Sequence, residues 1–346
     1  MMPEQEIPQQ NIHEQQANEE STEVKVSETK PLPDVAQERI YSKLVEAYKS
    51  IKASEQNGSK PPEKVKAALD ELDQLSHELT GEGIEKLELA LAKEILGQDF
   101  LGPDEVKAAF NDQLEIGEVP PLHFTPKELE RAKELGQMLV LRVGKFADGR
   151  LLTMKGIGEV LGDKTKDNGK VYLNTDWYKN EKFFTDDTEA IETCWALVSK
   201  ETVENSTNKN YLEQTDLLVD YLKDQVFKDT EIPEEFQAAI DEFTAQRTEI
   251  EAIMSSDWRK AAEQLAALKL NQIARRTPAE VAYDLMLHFQ NTGERLLLDK
   301  YDWTNRRHSD GDLVYVGLFK SDCVSVSWSR PGASPSVLGV SFSRSH

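Results

Sequence analysis

The chain has 346 residues, 38% hydrophobic and 30% charged, with a formal net charge of −22. That length supplies one large or two to three ordinary domains with apolar residues enough for a core. The acidic excess repels nucleic-acid backbones and anionic membrane surfaces, and no apolar run is long enough to span a bilayer, so neither nucleic acid nor membrane insertion is expected.

Residues 1–35 are rich in Gln, Glu, Ser and Pro and lack aromatics, which predicts a disordered acidic tail. Its start has no basic stretch followed by an apolar core, so no secretory signal is expected and a cytoplasmic location follows. Display on a cell or phage surface by another route stays open. Residues 36–120 read as a helical region. Ile40, Leu44, Ala47, Tyr48 and Ile51 share one helical face, and Val65, Leu69, Leu72 and Leu75 share another. Gly81 and Gly83 are expected to stop that second helix. A third runs through Leu87, Leu91 and Ile95 to Gly97, and Pro103 opens a fourth that reaches Phe110.

Pro120 and Pro121 mark a boundary, after which residues 121–346 read as a second unit. Thr125-Pro-Lys-Glu128 is a capping box with proline at the first helical position. Met138 to Val143 is a β-like apolar run, and Trp195 to Ser199 is a short strand. Between them, glycines 149, 156, 158, 162 and 169 predict loops. Tyr211 to Phe227 is a helix, and Pro233 starts a helical block, about 233–271, that reads as an insertion. Thr277-Pro-Ala-Glu280 caps a further helix carrying Val281, Leu285, Phe289 and Leu296.

From Tyr301 the character changes. This stretch carries Asp302, Asp310, Asp312 and Asp322 against Arg306, Arg307, Lys320, Arg330 and Arg344, and no Glu. The acidity therefore lies upstream. Short strands are predicted around Trp303, at Leu313 to Gly317, at Val324 to Trp328 and at Leu338 to Phe342, with turn residues between them. Alternation puts Val324, Val326 and Trp328 on a buried face and Ser325, Ser327 and Ser329 on an exposed one.

No motif anchors a catalytic reading. Gly156-Ile-Gly158-Glu-Val-Leu-Gly162 has its third glycine one residue late for a dinucleotide fingerprint and lacks a good preceding strand. The six histidines show no zinc spacing, and Cys194 and Cys323 form no CxxC pair. His288 is expected to be structural, and His308 to lie in a surface loop. Ser309 and Asp310 beside His308 do not amount to a catalytic triad, which is a matter of geometry and not of adjacency. No cofactor or metal is expected.

The stretch Tyr301-Asp-Trp-Thr, Ser309-Asp-Gly, Leu313-Val-Tyr-Val-Gly, Val324-Ser-Val-Ser and Leu338-Gly-Val-Ser-Phe-Ser-Arg344 resembles the tail of a large family from uncultivated bacteria. That tail in turn resembles the variable region of target proteins of diversity-generating retroelements. The resemblance covers about the last 46 residues and implies an α+β fold: a helical region followed by a C-type-lectin-like domain, shared with formylglycine-generating enzymes. It implies a fixed frame of Trp303, Val314, Val316, Gly317, Val324, Val326, Leu338 and Gly339. It also implies diversified, ligand-contacting positions at Asn305, Arg306, Tyr315, Leu318, Lys320, Asp322, Cys323, Ser325, Ser327, Trp328, Ser329 and Arg330, with His308 as a further contact. The expected function is recognition of a protein or surface ligand, not catalysis, with a homo-oligomer left open. The rival readings are a structural protein docking through its acidic helices and an enzyme related to formylglycine-generating enzymes. The latter use a pair of active-site cysteines.

Overall fold

Proline-led capping boxes open helices where the sequence places them. The computed structural model describes residues 81–162, 170–186, 192–320 and 323–345. The expectations for the tail, for the helices before residue 81 and for Asp322 lie outside those residues.

Helix α1 (Gly81–Leu96) begins at the glycines expected to end the helix before it. Glycine costs a helix only about 1 kcal/mol relative to alanine, and the apolar row ending in Ile95 and Leu96 is buried. Strand β1 (Phe100–Leu101) and helix α2 (Pro103–Phe110) come next. In helix α3 (Pro126–Glu134), the Thr125 hydroxyl accepts from the Glu128 amide at 3.3 Å and the Glu128 carboxylate accepts from the Thr125 amide at 2.9 Å. Strand β2 (Gln137–Arg142) is buried at every position.

The glycine-rich stretch after β2 contains a helix, α4 (Met154–Leu161), capped by Thr153. A Cβ on Gly156 would stand 2.3 Å from the Phe146 ring, and one on Gly158 would stand 2.9 Å from Tyr172. These glycines admit aromatic rings against the helix; they are not loop punctuation. A helical turn α5 (Lys182–Thr185) leads to strand β3 (Cys194–Ser199).

Helix α6 (Tyr211–Tyr221) continues as a π-helical turn over Leu222–Val226, so the expected single helix changes pitch in its last third. Helices α7 (Glu234–Ile253), α8 (Trp258–Ala267) and α9 (Lys269–Ala274) make up the helical block. Helix α10 (Pro278–Thr292) starts on the Thr277–Glu280 box and ends on Gly293 at φ 75°. Strands β4 (Tyr301–Arg307), β5 (Leu313–Lys320) and β6 (Cys323–Ser329) form an antiparallel meander. Of the last predicted strand, Leu338 to Phe342, only Leu338–Gly339 forms one, β7, and a second short piece, β8 (Ser343–Ser345), follows beyond it.

The division matters because the two pieces belong to different sheets. One sheet has the order β1-β2-β3-β8 and the other β6-β5-β4-β7. Between the pieces, Val340 and Phe342 are buried and the Ser341 amide donates to the Asp302 carboxylate at 2.7 Å. The fold is therefore α+β, with its last eight described residues stitching one sheet to the other.

Two apolar cores fill it. The first joins α1, α2, α4, α10 and the first sheet to Val314, Val316, Phe319 and Val324. Phe110 stacks on Tyr283 with centroids 5.2 Å apart, and the Trp195 indole donates to the Pro120 carbonyl at 2.9 Å. The described part of the helical region thus shares this core with elements beyond Pro120. The second core joins helices α6 to α9 to Trp303, Leu313, Leu338, Val340 and Phe342. Both faces of the second sheet are therefore packed in part, and the expectation of one wholly exposed serine face is corrected: Ser325 is 7% exposed.

A chain of charges lies between the cores. Arg142 on β2 donates to both Asp284 oxygens, at 3.2 and 2.7 Å, and to Glu280 at 2.6 Å. Arg276 donates to Asp284 at 3.1 Å and to Asp302 at 2.8 Å. Burial alone would lower the Arg142 pKa, but Asp284 and Glu280 hold it well above the usual arginine value. Burial pushes the Asp302 carboxyl up, while Arg276 and the Ser341 amide pull it down. Arg275 points the other way and is satisfied by neutral groups: Asn271 at 2.9 Å, the Trp303 carbonyl at 3.2 Å and the Tyr211 carbonyl at 3.2 Å. Its guanidinium lies 3.8 Å from the Tyr211 ring centroid.

Removing one partner of a buried ion pair costs about 3–5 kcal/mol, because the other charge is left uncompensated. Arg276→Met is expected to lower unfolding free energy by that amount in urea titration, more than replacement of the exposed Arg150 does. A pH effect arises from His288. Burial, partly offset by the Glu294 carbonyl, lowers its pKa below the ordinary 6.5. The unfolded chain then binds the proton more readily, so stability is full above about 6.5 and is lost as pH falls toward the folded value. Urea midpoints should fall across that window, and His288→Gln should flatten the slope.

Candidate functional site

Strand register decides which side chains of the second sheet stand together. Trp303 pairs with Tyr315, which pairs with Ser327; Tyr301 pairs with Gly317, which pairs with Ser325; Leu313 pairs with Ser329. Direct partners point to the same side, so these eight residues share one face. Trp303 and Leu313 lie at its buried end, in the second core. Tyr301, Tyr315, Ser327 and Ser329 are half-buried.

The aromatic side chains form a chain of edge contacts. Tyr211 meets Trp303 at 5.1 Å, Trp303 meets Tyr315 at 6.4 Å, and Tyr315 meets Tyr301 at 4.9 Å. The Tyr315 hydroxyl lies 3.4 Å from the Ser329 hydroxyl. Burial raises the Tyr301 pKa, and the neighbouring Ser325 hydroxyl lowers it. Gly317 admits the close approach of β4 to β5, since a Cβ there would stand 2.4 Å from the Lys300 carbonyl oxygen and 2.8 Å from the Tyr301 Cα. At the rim, the Arg330 and Arg259 guanidiniums lie 4.8 and 4.4 Å from the Trp258 ring centroid.

The sequence-predicted residues divide among several places. Tyr315, Ser325, Ser327 and Ser329 share the face just described, with exposed Arg330 at its end. Trp328 pairs with Val314 and belongs to the opposite face, as alternation predicts. It stacks on His308 with centroids 4.2 Å apart and planes 10° apart. His308 is only 8% exposed, and its Nε2 lies 3.2 Å from Glu181. The expectation of a surface-loop histidine is corrected: Trp328 and Glu181 cover it. Asn305 is 3% exposed and donates to the Arg275 carbonyl at 3.3 Å, so its side chain supports the frame. Arg306 is half-buried and donates to Asn305 at 3.0 Å. Half-buried Leu318, at φ 45°, exposed Lys320 and half-buried Cys323 lie toward the far end of the β5–β6 hairpin.

Three contributors were missed in the sequence. Tyr301 sits two residues before Trp303, and alternation alone would have placed it on this face. Trp258 and Arg259 come from the helical block, and nothing local ties them to the tail.

Ser309 donates its hydroxyl to Glu181 at 2.8 Å and His308 Nε2 lies 3.2 Å from the same carboxylate, so Ser309, His308 and Asp310 are organised around Glu181 and not as a Ser-His-Asp relay. Among the described residues, no cluster of three His, Cys, Asp or Glu is placed to hold a metal ion. Burial pushes the Cys194 thiol up to about 11 although Arg142 pulls it down, so it stays protonated at neutral pH and is a poor nucleophile. Among the described residues no helix is long and apolar enough to cross a membrane.

Gly317→Ala puts a methyl group into backbone and is expected to cost more than ~1 kcal/mol. Chemical denaturation checks this, and tyrosine fluorescence should report the displaced Tyr301.

No family model, curated protein or solved structure matches the chain.

Proposed function

We propose that the chain is a ligand-binding protein whose last 46 residues carry a diversified recognition surface on a C-type-lectin-like frame. The supporting observation is the match between two independent divisions. The frame positions Trp303, Val314, Val316, Gly317, Val324, Leu338 and Gly339 are all buried. Most of the unlike positions are half-buried or exposed: Arg306, Tyr315, Leu318, Lys320, Cys323, Ser327, Trp328, Ser329 and Arg330. A frame that fills cores cannot vary without loss of packing, whereas side chains at the surface can change at little cost in stability. Val326, Asn305 and Ser325 depart from the pattern: the first is half-buried and the other two are buried.

Tyrosine, tryptophan and arginine give anchors of large area and low entropy cost, and serine adapts around them. Tyr315 and Ser327 supply that mixture beside Arg330, and Trp258 holds the arginine in place. The buried charge chain and the two cores keep the backbone fixed while the surface varies. The described helices α6 to α9 back the same sheet and make its frame stiff.

The test is to sequence the DNA on both sides of the gene. A reverse-transcriptase gene and a near-copy of the coding 3′ end, with mismatches confined to template adenines, are expected. The mismatches should fall in codons for Arg306, Tyr315, Leu318, Lys320, Ser327, Ser329 and Arg330 and spare those for Trp303, Gly317 and Gly339. Mismatches spread evenly over frame codons, or no near-copy, would refute the proposal.

A further inference from the structure

A cavity of about 50 Å³ lies between α3, the π-helical turn, the 226–230 segment and the strand pair β3–β8. One water needs only ~10–15 Å³ measured the same way, so the space admits a group of several heavy atoms. Its charged lining is Lys127, Arg131, Lys228 and Arg344 against Glu128 and Asp229, four cations to two carboxylates. In a chain of net charge −22 that sign is reversed locally. The adjoining open groove, about 690 Å³, is lined instead by Glu134, Glu201, Glu204, Asp220 and Asp224 against Lys200 alone.

Arg344 is the built element of this cavity. It is 3% exposed. Its guanidinium is held between two aromatic rings, 4.9 Å from the Phe124 centroid and 5.2 Å from that of Phe227. One end is ion-paired, with Nη1 2.9 Å from Glu128. The Nε–H is buried and meets no acceptor in the protein. A buried donor of a charged group left without a partner is costly, and a planar guanidinium edge matches an oxyanion in geometry and charge. Lys127 and Arg131 are partly engaged already, donating to the Asp229 and Gln225 carbonyls at 3.3 and 2.8 Å. Lys228 is exposed at the mouth. The π-helical turn forms one wall, and such turns concentrate at functional sites.

We infer that this cavity binds a small oxyanion, phosphate or carboxylate, on the free edge of Arg344 with Lys228 at its mouth. The site is separate from the recognition face on the second sheet and does not depend on the proposed function.

The test uses the full chain and thermal unfolding. Sodium phosphate and sodium acetate are titrated against sodium chloride at matched ionic strength, with the phosphorus resonance of inorganic phosphate followed in parallel. A saturable rise in Tm of about 2 °C or more beyond chloride is expected for phosphate or acetate, and which of them saturates identifies the ligand chemistry. Phosphate binding should also broaden the phosphorus line. Lys228→Ala should leave Tm in chloride unchanged and raise the half-saturating concentration about threefold or more, as loss of one partly screened charge requires. Arg344→Lys, which removes the Nε–H, should abolish saturation; if that variant does not fold, Lys228→Ala decides. A Tm that tracks ionic strength alone in all three salts, the cavity then holding water only, would overturn the inference. So would a saturation curve unmoved by Lys228→Ala.

Discussion

Asp284 accepts hydrogen bonds from two buried guanidiniums at once, and the arrangement of both sheets depends on that sharing. Arg142 reaches it from the first sheet. Arg276 reaches it from the start of α10 and carries the connection on to Asp302 in the second sheet. Asp302 then fixes the Ser341 amide, where the chain leaves one sheet for the other. Arg142 also donates to Ser343 on β8 at 3.1 Å, which closes the circuit. Each ion would be expensive to bury by itself, so the cluster holds together only as a whole. It specifies which strand end meets which helix, and that places β4 and with it the face carrying Tyr301 and Tyr315.

Arginine is suited to this position in a strongly acidic protein. Carboxylates are abundant, and most of the described ones lie outside where water screens them. Among the described residues, the buried ones, Asp284 and Asp302, sit against planar donors with several N–H groups each. Arg275 and Arg344 extend the same use, the first capping carbonyls of α6 and β4, the second lying between aromatic rings. Lysine at these positions would keep the charge and lose the fork.

Much of the fold was legible wherever the signal is local. The boxes at Thr125 and Thr277 need only a four-residue stretch to declare a helix start, and the apolar runs at Met138 and Trp195 declare strands. Alternation separated Ser327 and Ser329 from Trp328, and the serines expected to be exposed are half-buried. The features that failed to show depend on distant partners. Helix α4 hides behind glycines whose purpose is contact with Phe146 and Tyr172. His308 is covered through Glu181, 128 residues upstream of Ser309. Ser325, paired with Gly317, is buried although its alternation partners Ser327 and Ser329 are half-open, and nothing local marks the difference. The charge chain spans 142 residues between Arg142 and Asp284, and no spacing rule connects them. The strands of the site were thus readable from local pattern, and its closure was not.

The claim that one charge chain binds both sheets into a single cooperative unit is tested most directly by native-state hydrogen exchange in low concentrations of urea. Amides of the β2–β3 ladder, such as Leu139 and Val198, and of the β4–β5 ladder, such as Trp303 and Val316, should converge on one opening free energy with one urea dependence. In Arg276→Met the two sets should separate, the second sheet opening first. Two distinct opening energies in the unaltered protein, each with its own urea dependence, would contradict the account and make the sheets independent units.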